Sequence, residues 1–404
     1  MRLSIGRADK SPLARWFWTI DRPLLAMLLV LIGVGIIAVA AASPAASLRL
    51  SDGATRVPPL HFLQRQLIWV AAGVPLMLGI SMLTRDGARR FALGGFAFFF
   101  LLLMLVPIIG VETNGAQRWI RLPGFQLQPV EFLKPFFAVS TAWLFAMRFE
   151  DRSLPVLPAG GFFLCLIVGL LVTQPDFGQA ALVIAVWLVQ AVLAGLPLIF
   201  VGLAVLVVLG GLFVAYQFEP HIRNRLDGFL HGEGDTYQVD RALDCFRSGG
   251  LYGAGPGEGT AKFRLPEAQT DYIFSVIGEE FGAIACLALA LLYLAIVLRV
   301  LLQLLDEEDP FTLIAATGLV VQFGGQALIN MSVNVALAPA KGMTLPFVSH
   351  GGSSFLATAV AMGLLLALTR RNRYLKASPY LQSGPLQSRQ AKPGARIPAG
   401  LPAE

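Results

Sequence analysis

Charge is scarce in this sequence. Only 14% of the 404 residues are Asp, Glu, Lys or Arg, whereas a soluble protein carries about 25%, so a globular domain with a wetted surface is excluded. Cysteine is scarcer still, at three residues. Cys165 and Cys286 fall in apolar runs and Cys245 has no partner in its loop, so no disulfide framework follows. The histidines, His61, His221, His231 and His350, are too scattered for a metal-ligand cluster. No repeat of roughly 20–50 residues and no inverted symmetry of the transporter kind is visible.

What fills the chain is apolar: 56% of it is hydrophobic, and the mean hydropathy is +0.68. Apolar stretches of roughly 20 residues recur, each long enough to cross a bilayer as a helix. The pattern predicts an all-α polytopic integral membrane protein with about ten transmembrane helices and one long extracytoplasmic loop. The spans fall near 23–43, 63–83, 91–111, 130–148, 157–174, 177–195, 197–217, 272–301, 311–336 and 353–370. An even number places both termini on one side. That side collects Arg2, Arg7, Lys10, Arg15 and Arg22, then Arg85, Arg89 and Arg90, then Arg148 and Arg152, and finally Arg370, Arg371 and Arg373. The positive-inside rule makes it the cytoplasm. The net charge of +6 is this topological signal and implies no nucleic acid. The first apolar run is too long and begins too late for a cleaved signal peptide, so it is expected to be retained.

Three segments stand apart from the spans. Residues 1–22 form a basic cytoplasmic tail with Trp16 and Trp18 at the expected headgroup level. Residues 375–404, rich in Pro, Ser and Gln, read as a disordered cytoplasmic tail beyond a membrane domain of residues 23–374. Residues 218–271 form the one large polar insertion, with Gly249, Gly250, Gly253, Gly255, Gly257 and Gly259 close together. A loop this long suggests an outward-facing task.

Ionisable residues at membrane depth cost about 2.5–3.5 kcal/mol on insertion scales, so each is a functional candidate. The run KGMTLPFVSHGGSS, Lys341 to Ser354, lies between two spans and is too rich in Gly, Ser and Pro to be one. Irregular backbone must lie at a water face or line a cavity. In QPVEFLKP, Glu131 and Lys134 stand three apart on one helix face, either as a structural ion pair or with Lys134 meeting a substrate anion. Upstream, NGAQRWIRLPGF places Arg118 where its guanidinium can grip a phosphate in bidentate fashion. Asp176 in TQPDFGQ reads more readily as turn chemistry. Asp271, in RLPEAQTDYIFSVIGEEFG, begins a span where Lys262, Arg264 and Glu267 gather. It is either a helix cap or a carboxylate whose partial desolvation raises its pKa and suits it to act as a general base. At least one of Glu279 and Glu280 is expected to face the bundle interior. Together these groups suggest an anionic, lipid-linked substrate.

Taken in order, NGAQRWI, QPVEFLKP, QPDFGQ, YQVDRAL, the GAGPGEG loop, LPEAQTDYIF, IGEEFG and KGMTLPFVSHGGSS resemble the SEDS family (shape, elongation, division and sporulation proteins) over about residues 20–374. Lys341 and Thr344 are similar to the family's cell-division branch rather than its elongation branch. The resemblance implies a peptidoglycan glycosyltransferase of the inner membrane at the division septum. It would polymerise lipid II, the undecaprenyl-pyrophosphate-linked disaccharide peptide, into β-1,4 glycan. Its partners would be an FtsI-like class B penicillin-binding protein transpeptidase and other divisome proteins. The family's proposed catalytic acid falls on Asp271. Its fourth-helix Glu and Lys fall on Glu131 and Lys134, and its loop arginine falls on Arg118.

The implied mechanism is inverting. Asp271 takes the acceptor's 4-hydroxyl proton, while Arg118, Lys134 and a subset of Lys262, Arg264 and Lys341 stabilise the departing pyrophosphate. No cofactor is fixed; a divalent cation remains open as an aid, without a ligand cluster to mark it. Two positions depart from the family pattern: Gln269 stands where histidine is usual, and His350 where tyrosine is usual. Glutamine hydrogen-bonds but carries no catalytic proton; His350, by its ordinary pKa, would titrate near neutral pH. The alternatives are a lipid II flippase or an inactive scaffold that recruits the transpeptidase.

Overall fold

The computed structural model describes residues 11–51, 56–113, 116–218, 223, 227, 237–339 and 342–370. The polar tail after residue 374, Lys341, His221 and His231 lie outside the described residues. A short helix, α1 (Pro12–Thr19), is capped by the Ser11 hydroxyl, which accepts from the Ala14 amide. Ten apolar helices follow among the described residues: α2 (Arg22–Leu50), α3 (His61–Ser81), α4 (Arg85–Ile109), α5 (Pro129–Glu150), α6 (Val156–Thr173), α7 (Phe177–Leu193), α8 (Leu198–Phe218), α10 (Ile273–Leu304), α11 (Pro310–Asn334) and α12 (Gly352–Leu368). Each coincides with an expected span. Seven are long and apolar enough to cross a membrane alone, and α7 and α12, at 17 residues each, are shorter apolar helices.

The helix starts follow the local chemistry. Asp21, Thr84 and Asp309 cap α2, α4 and α11 by accepting from the amides of Leu24, Gly87 and Thr312. Pro23, Pro129 and Pro310 occupy first-turn positions, where no amide is needed. The core lies along α5, α11 and α12, whose side chains are buried almost throughout. Rings join α4 to α5, with Phe99 stacked on Phe132 at 4.8 Å. At the periphery, α8 turns Leu198, Ile199, Leu206 and Phe213 outward, as lipid contact requires.

Two features were absent from the sequence reading. Between α4 and α5 the chain forms a small antiparallel sheet, β1 (Val111–Thr113), β2 (Ala116–Leu122) and β3 (Phe125–Leu127), in that spatial order. Pro123-Gly124 makes the β2–β3 turn, with Gly124 at φ +88°, the positive φ that the second corner of such a turn demands. The long polar segment also contains a helix, α9 (Tyr237–Gly249), and a 3₁₀ turn, Ala261–Arg264.

The long segment docks on a break in α10. Gly282 leaves helical geometry at φ +81°, freeing backbone groups that hydrocarbon cannot satisfy. The glycine-rich loop supplies the partners. Amides of Ala254 and Gly255 donate to the carbonyls of Glu279 and Glu280, and amides of Ala283 and Ile284 donate to those of Gly250 and Leu251. Contact is so close that a Cβ on Gly253 (φ +88°) would lie 2.3 Å from the Glu280 carbonyl oxygen.

Candidate active site

The site forms where the turn before α10 meets the 342–351 loop and the starts of α5 and α7. Its frame is a row of polar residues on one face of α11. Asn330 Nδ2 donates to the carbonyls of Asp271 (2.8 Å) and Met343 (2.6 Å), and Asn334 Nδ2 donates to that of Asp271 (2.9 Å). Ser349 Oγ donates to the Thr270 carbonyl and accepts from the Leu345 amide. The His350 amide donates to the Gln269 carbonyl at 2.8 Å. Thus the two positions that depart from the family pattern are neighbours, joined through backbone. Residues 269–271 and the loop behind them are fixed from three sides.

The Asp271 side chain lies beside Gly342, where a Cβ would stand 3.2 Å from Oδ2. Among the described residues no hydrogen bond reaches its carboxylate oxygens. Burial pushes its pKa up to about 7, the charges of Glu267 and Asp176 add to this, and Arg118 opposes it. That value suits a base near neutral pH.

Asp176, which the sequence reads more readily as turn chemistry, lies at a turn with its side chain facing this cluster. It is buried, receives a hydrogen bond from Gln128 Nε2 at 3.3 Å, and feels Arg118, Glu131 and Lys134 as well as Asp271. Burial raises its pKa, Glu131 adds to the shift, and Arg118 and Lys134 oppose it. Two carboxylates with raised pKa values therefore share one arginine.

Arg118 is braced rather than free. Its Nε donates to the Gln174 carbonyl (2.9 Å) and its Nη2 to that of Pro175 (2.5 Å). Two of its five N–H donors thus hold the Asp176 turn, and Nη1 with the second Nη2 hydrogen is the edge left to meet a phosphate. Glu131 and Lys134 pair at 2.9 Å, both buried. Lys134 Nζ also donates to Gln179 Oε1 and Gln326 Oε1, each at 2.7 Å, so all three ammonium protons have acceptors. Gln326 in turn donates to the Thr344 carbonyl, and the Thr344 hydroxyl meets Ser354 Oγ at 2.5 Å. The pair thus anchors the loop beside Asp271 rather than presenting a bare cation.

Lys262 is engaged by other partners. Contrary to its expected role with substrate phosphate, Lys262 is 1% exposed, paired with Glu280, and donates to the Ala41 carbonyl of α2. Arg264 is exposed, and its carbonyl accepts from Tyr237 Oη. Glu279 and Glu280 are both buried. The expectation that His350 titrates near neutral pH is corrected: burial, together with Arg65 and His61, lowers its pKa to about 4. Among the described residues no group of three His, Cys, Asp or Glu side chains converges as a cation cage; Asp176 and Asp271 do not form one by themselves.

A bundle of apolar helices that closes a buried basic–acidic cluster against one irregular loop defines a multi-pass membrane protein with a site at one face. Residues 22–374 match the FtsW, RodA and SpoVE family of cell cycle proteins, and the chain belongs to that family. It is 38% identical to the probable peptidoglycan glycosyltransferase FtsW of Caulobacter vibrioides, across 91% of this chain and 94% of that one. With the protein of the same name from Coxiella burnetii it shares 32%, across 87% and 96%. Among solved structures it superimposes on a chain of a peptidoglycan synthase complex, one described as coordinating polymerisation and crosslinking. There the TM-score is 0.69 and the identity 27%, covering 87% of this chain and 97% of that one. Against the rod shape determining protein RodA of Thermus thermophilus the values are 0.62 and 26%, covering 87% and 96%.

Proposed function

We propose that this protein is a peptidoglycan glycosyltransferase of the cell-division branch. It polymerises lipid II at the outer face of the inner membrane, at the septum, with both termini in the cytoplasm. The observation that carries the reading is the Asp271 carboxylate, raised to about 7 by burial and unencumbered by hydrogen bonds among the described residues. Asp271 takes the proton of the acceptor's 4-hydroxyl as that oxygen attacks the anomeric carbon and the lipid pyrophosphate departs with inversion. Arg118 supplies positive charge to the leaving group through whatever part of its fork the Gln174 and Pro175 carbonyls leave open. Such charge, placed in advance where water is scarce, is worth several kcal/mol to a transition state. Glu131 and Lys134 hold the loop that walls the base. Lys341 adjoins Gly342 in sequence and is assigned to the same pyrophosphate.

The fit to a chain of a synthase complex supports a penicillin-binding protein as partner. The test is lipid II polymerisation by the full chain with a class B partner whose transpeptidase serine is inactivated. Glycan ladders from wild type and none from a folded Asp271→Asn variant are expected. Equal ladders would remove Asp271 from the mechanism. Lipid transfer across vesicles without any glycan would replace the polymerase with a flippase.

A further inference from the structure

Lys262 and Glu280 stand equally far from Asp271 in the chain, nine residues before it and nine after. Their ion pair closes that segment into a loop with the candidate base at its midpoint. Neither side chain is more than 1% exposed. Glu279 reinforces the closure by accepting from the amides of Ala261 (2.6 Å) and Lys262 (2.8 Å), and Glu280 accepts from the Gly257 amide. Lys262 Nζ reaches across to the Ala41 carbonyl, and Arg49 Nη2 donates to the Phe263 carbonyl at 3.2 Å, so the loop base is tied to α2.

The apex is held separately, by Asn330, Asn334, Ser349 and the His350 amide. Beyond Glu280 the α10 helix breaks at Gly282. The first nine residues of α10 are therefore a short rod with its own supports, and the regular hydrogen bonding of the long helix does not carry through the break to fix its orientation. A buried ion pair contributes little net stability on average, which makes a purely stabilising role a weak account of one placed here.

We propose that Lys262, through Glu280, is a positioning residue that fixes where Asp271 stands, rather than a contact to substrate. This rests on the polymerase reading above. A displacement of about 1 Å costs roughly 100-fold in rate, so loss of the tie should lower turnover while leaving substrate affinity nearly intact.

The experiment compares wild type, Lys262→Met and the double variant K262M/E280Q in the full complex, by turnover, lipid II affinity, thermal unfolding and backbone hydrogen exchange. Lys262→Met leaves Glu280 buried and unpaired, and is expected to lose stability and at least tenfold in turnover. The double variant removes both charges of the pair and keeps an acceptor for the Gly257 amide, while Glu279 retains its backbone amide donors. Its unfolding midpoint should return towards wild type while turnover stays at least tenfold down, with KM for lipid II within about threefold. Exchange across residues 271–281 should rise in both variants and stay unchanged in α11. Turnover that recovers together with stability, or a loss that falls wholly on KM, would overturn the proposal, as would unchanged exchange. A wild-type complex that makes no glycan would sink the polymerase reading; the exchange data would then still decide whether Lys262 holds the Asp271 segment.

Discussion

Replacing Asp271 by asparagine keeps the shape of the side chain and removes its charge, and the consequences for stability and activity have opposite signs. Burial lifts the Asp271 pKa from 3.8 to about 7. Each unit corresponds to about 1.4 kcal/mol, so holding the ionised carboxylate in the folded protein costs up to ~4 kcal/mol. Some exposure remains at this position and screens part of the cost, which makes the figure a ceiling. The folded state keeps the proton up to about pH 7, whereas the unfolded chain releases it near 3.8. Between those values the folded form binds more protons, so this group erodes stability as pH rises through the window. Asparagine carries no such penalty. The variant should match wild type in stability near pH 4 and exceed it above about pH 7, by as much as ~4 kcal/mol. Loss of the base should meanwhile cost about 10²–10⁴ in glycan synthesis.

Thermal unfolding of both proteins in one lipid environment, scanned from about pH 4 to 8, tests the first half, and lipid II polymerisation with the partner present tests the second. A variant that is dead and also less stable above pH 7 would mean that asparagine disrupts the site. The activity result would then say nothing about a base. A variant that is active would refute the assignment outright.

Three further outcomes follow from the same geometry. Asp176 raises the Asp271 pKa and Arg118 lowers it, so Asp176→Asn should move the acid limb of the kcat/KM profile to lower pH and Arg118→Gln should move it higher. Shifts in the same direction would contradict the shared site. His350 is depressed to about 4, so its contribution to stability is present above its ordinary value near 6.5 and is lost as pH falls towards 4. His350→Gln should abolish that loss in an unfolding scan and leave the acid limb of activity near pH 7 untouched. Gly253→Ala places a Cβ 2.3 Å from the Glu280 carbonyl oxygen at φ +88°. It should destabilise the protein by about 1–3 kcal/mol or more, measured as a lower unfolding midpoint.

The ten apolar helices were legible because a bilayer selects long apolar runs: seven are long and apolar enough to cross alone, and the shorter ones fall where the remaining spans were expected. The β-sheet before α5 was not legible. Its strands are as short as three residues, too short for alternation to register, and only Pro123-Gly124 hinted at a turn. Asp271, Glu131 and Lys134 stood out as charges beside apolar helices. Asp176 was discounted because an Asp between Pro and Phe-Gly has an adequate local explanation. Only the fold reveals that this turn is buried against Arg118.

A more telling omission lay in plain view. Gln322, Gln326, Asn330 and Asn334 recur every fourth residue along α11, a polar stripe on one face of a membrane helix. Three of them frame the site. A buried amide side chain without partners is costly, so a stripe of four in an apolar helix points to a polar wall much as a charge does. The same reasoning explains the misreading of Lys262. A lysine in a polar, glycine-rich loop looks solvated and free to meet an anion. Its actual partner lies 18 residues on, beyond the base and inside an apolar run. There Glu279 and Glu280 could not remain without donors. The donors were countable beforehand: a buried carboxylate pair needs a cation and several amides, and the glycine loop is where amides are unhindered. For a membrane protein, asking where each costly group finds its partner locates more of the site than asking which groups look catalytic.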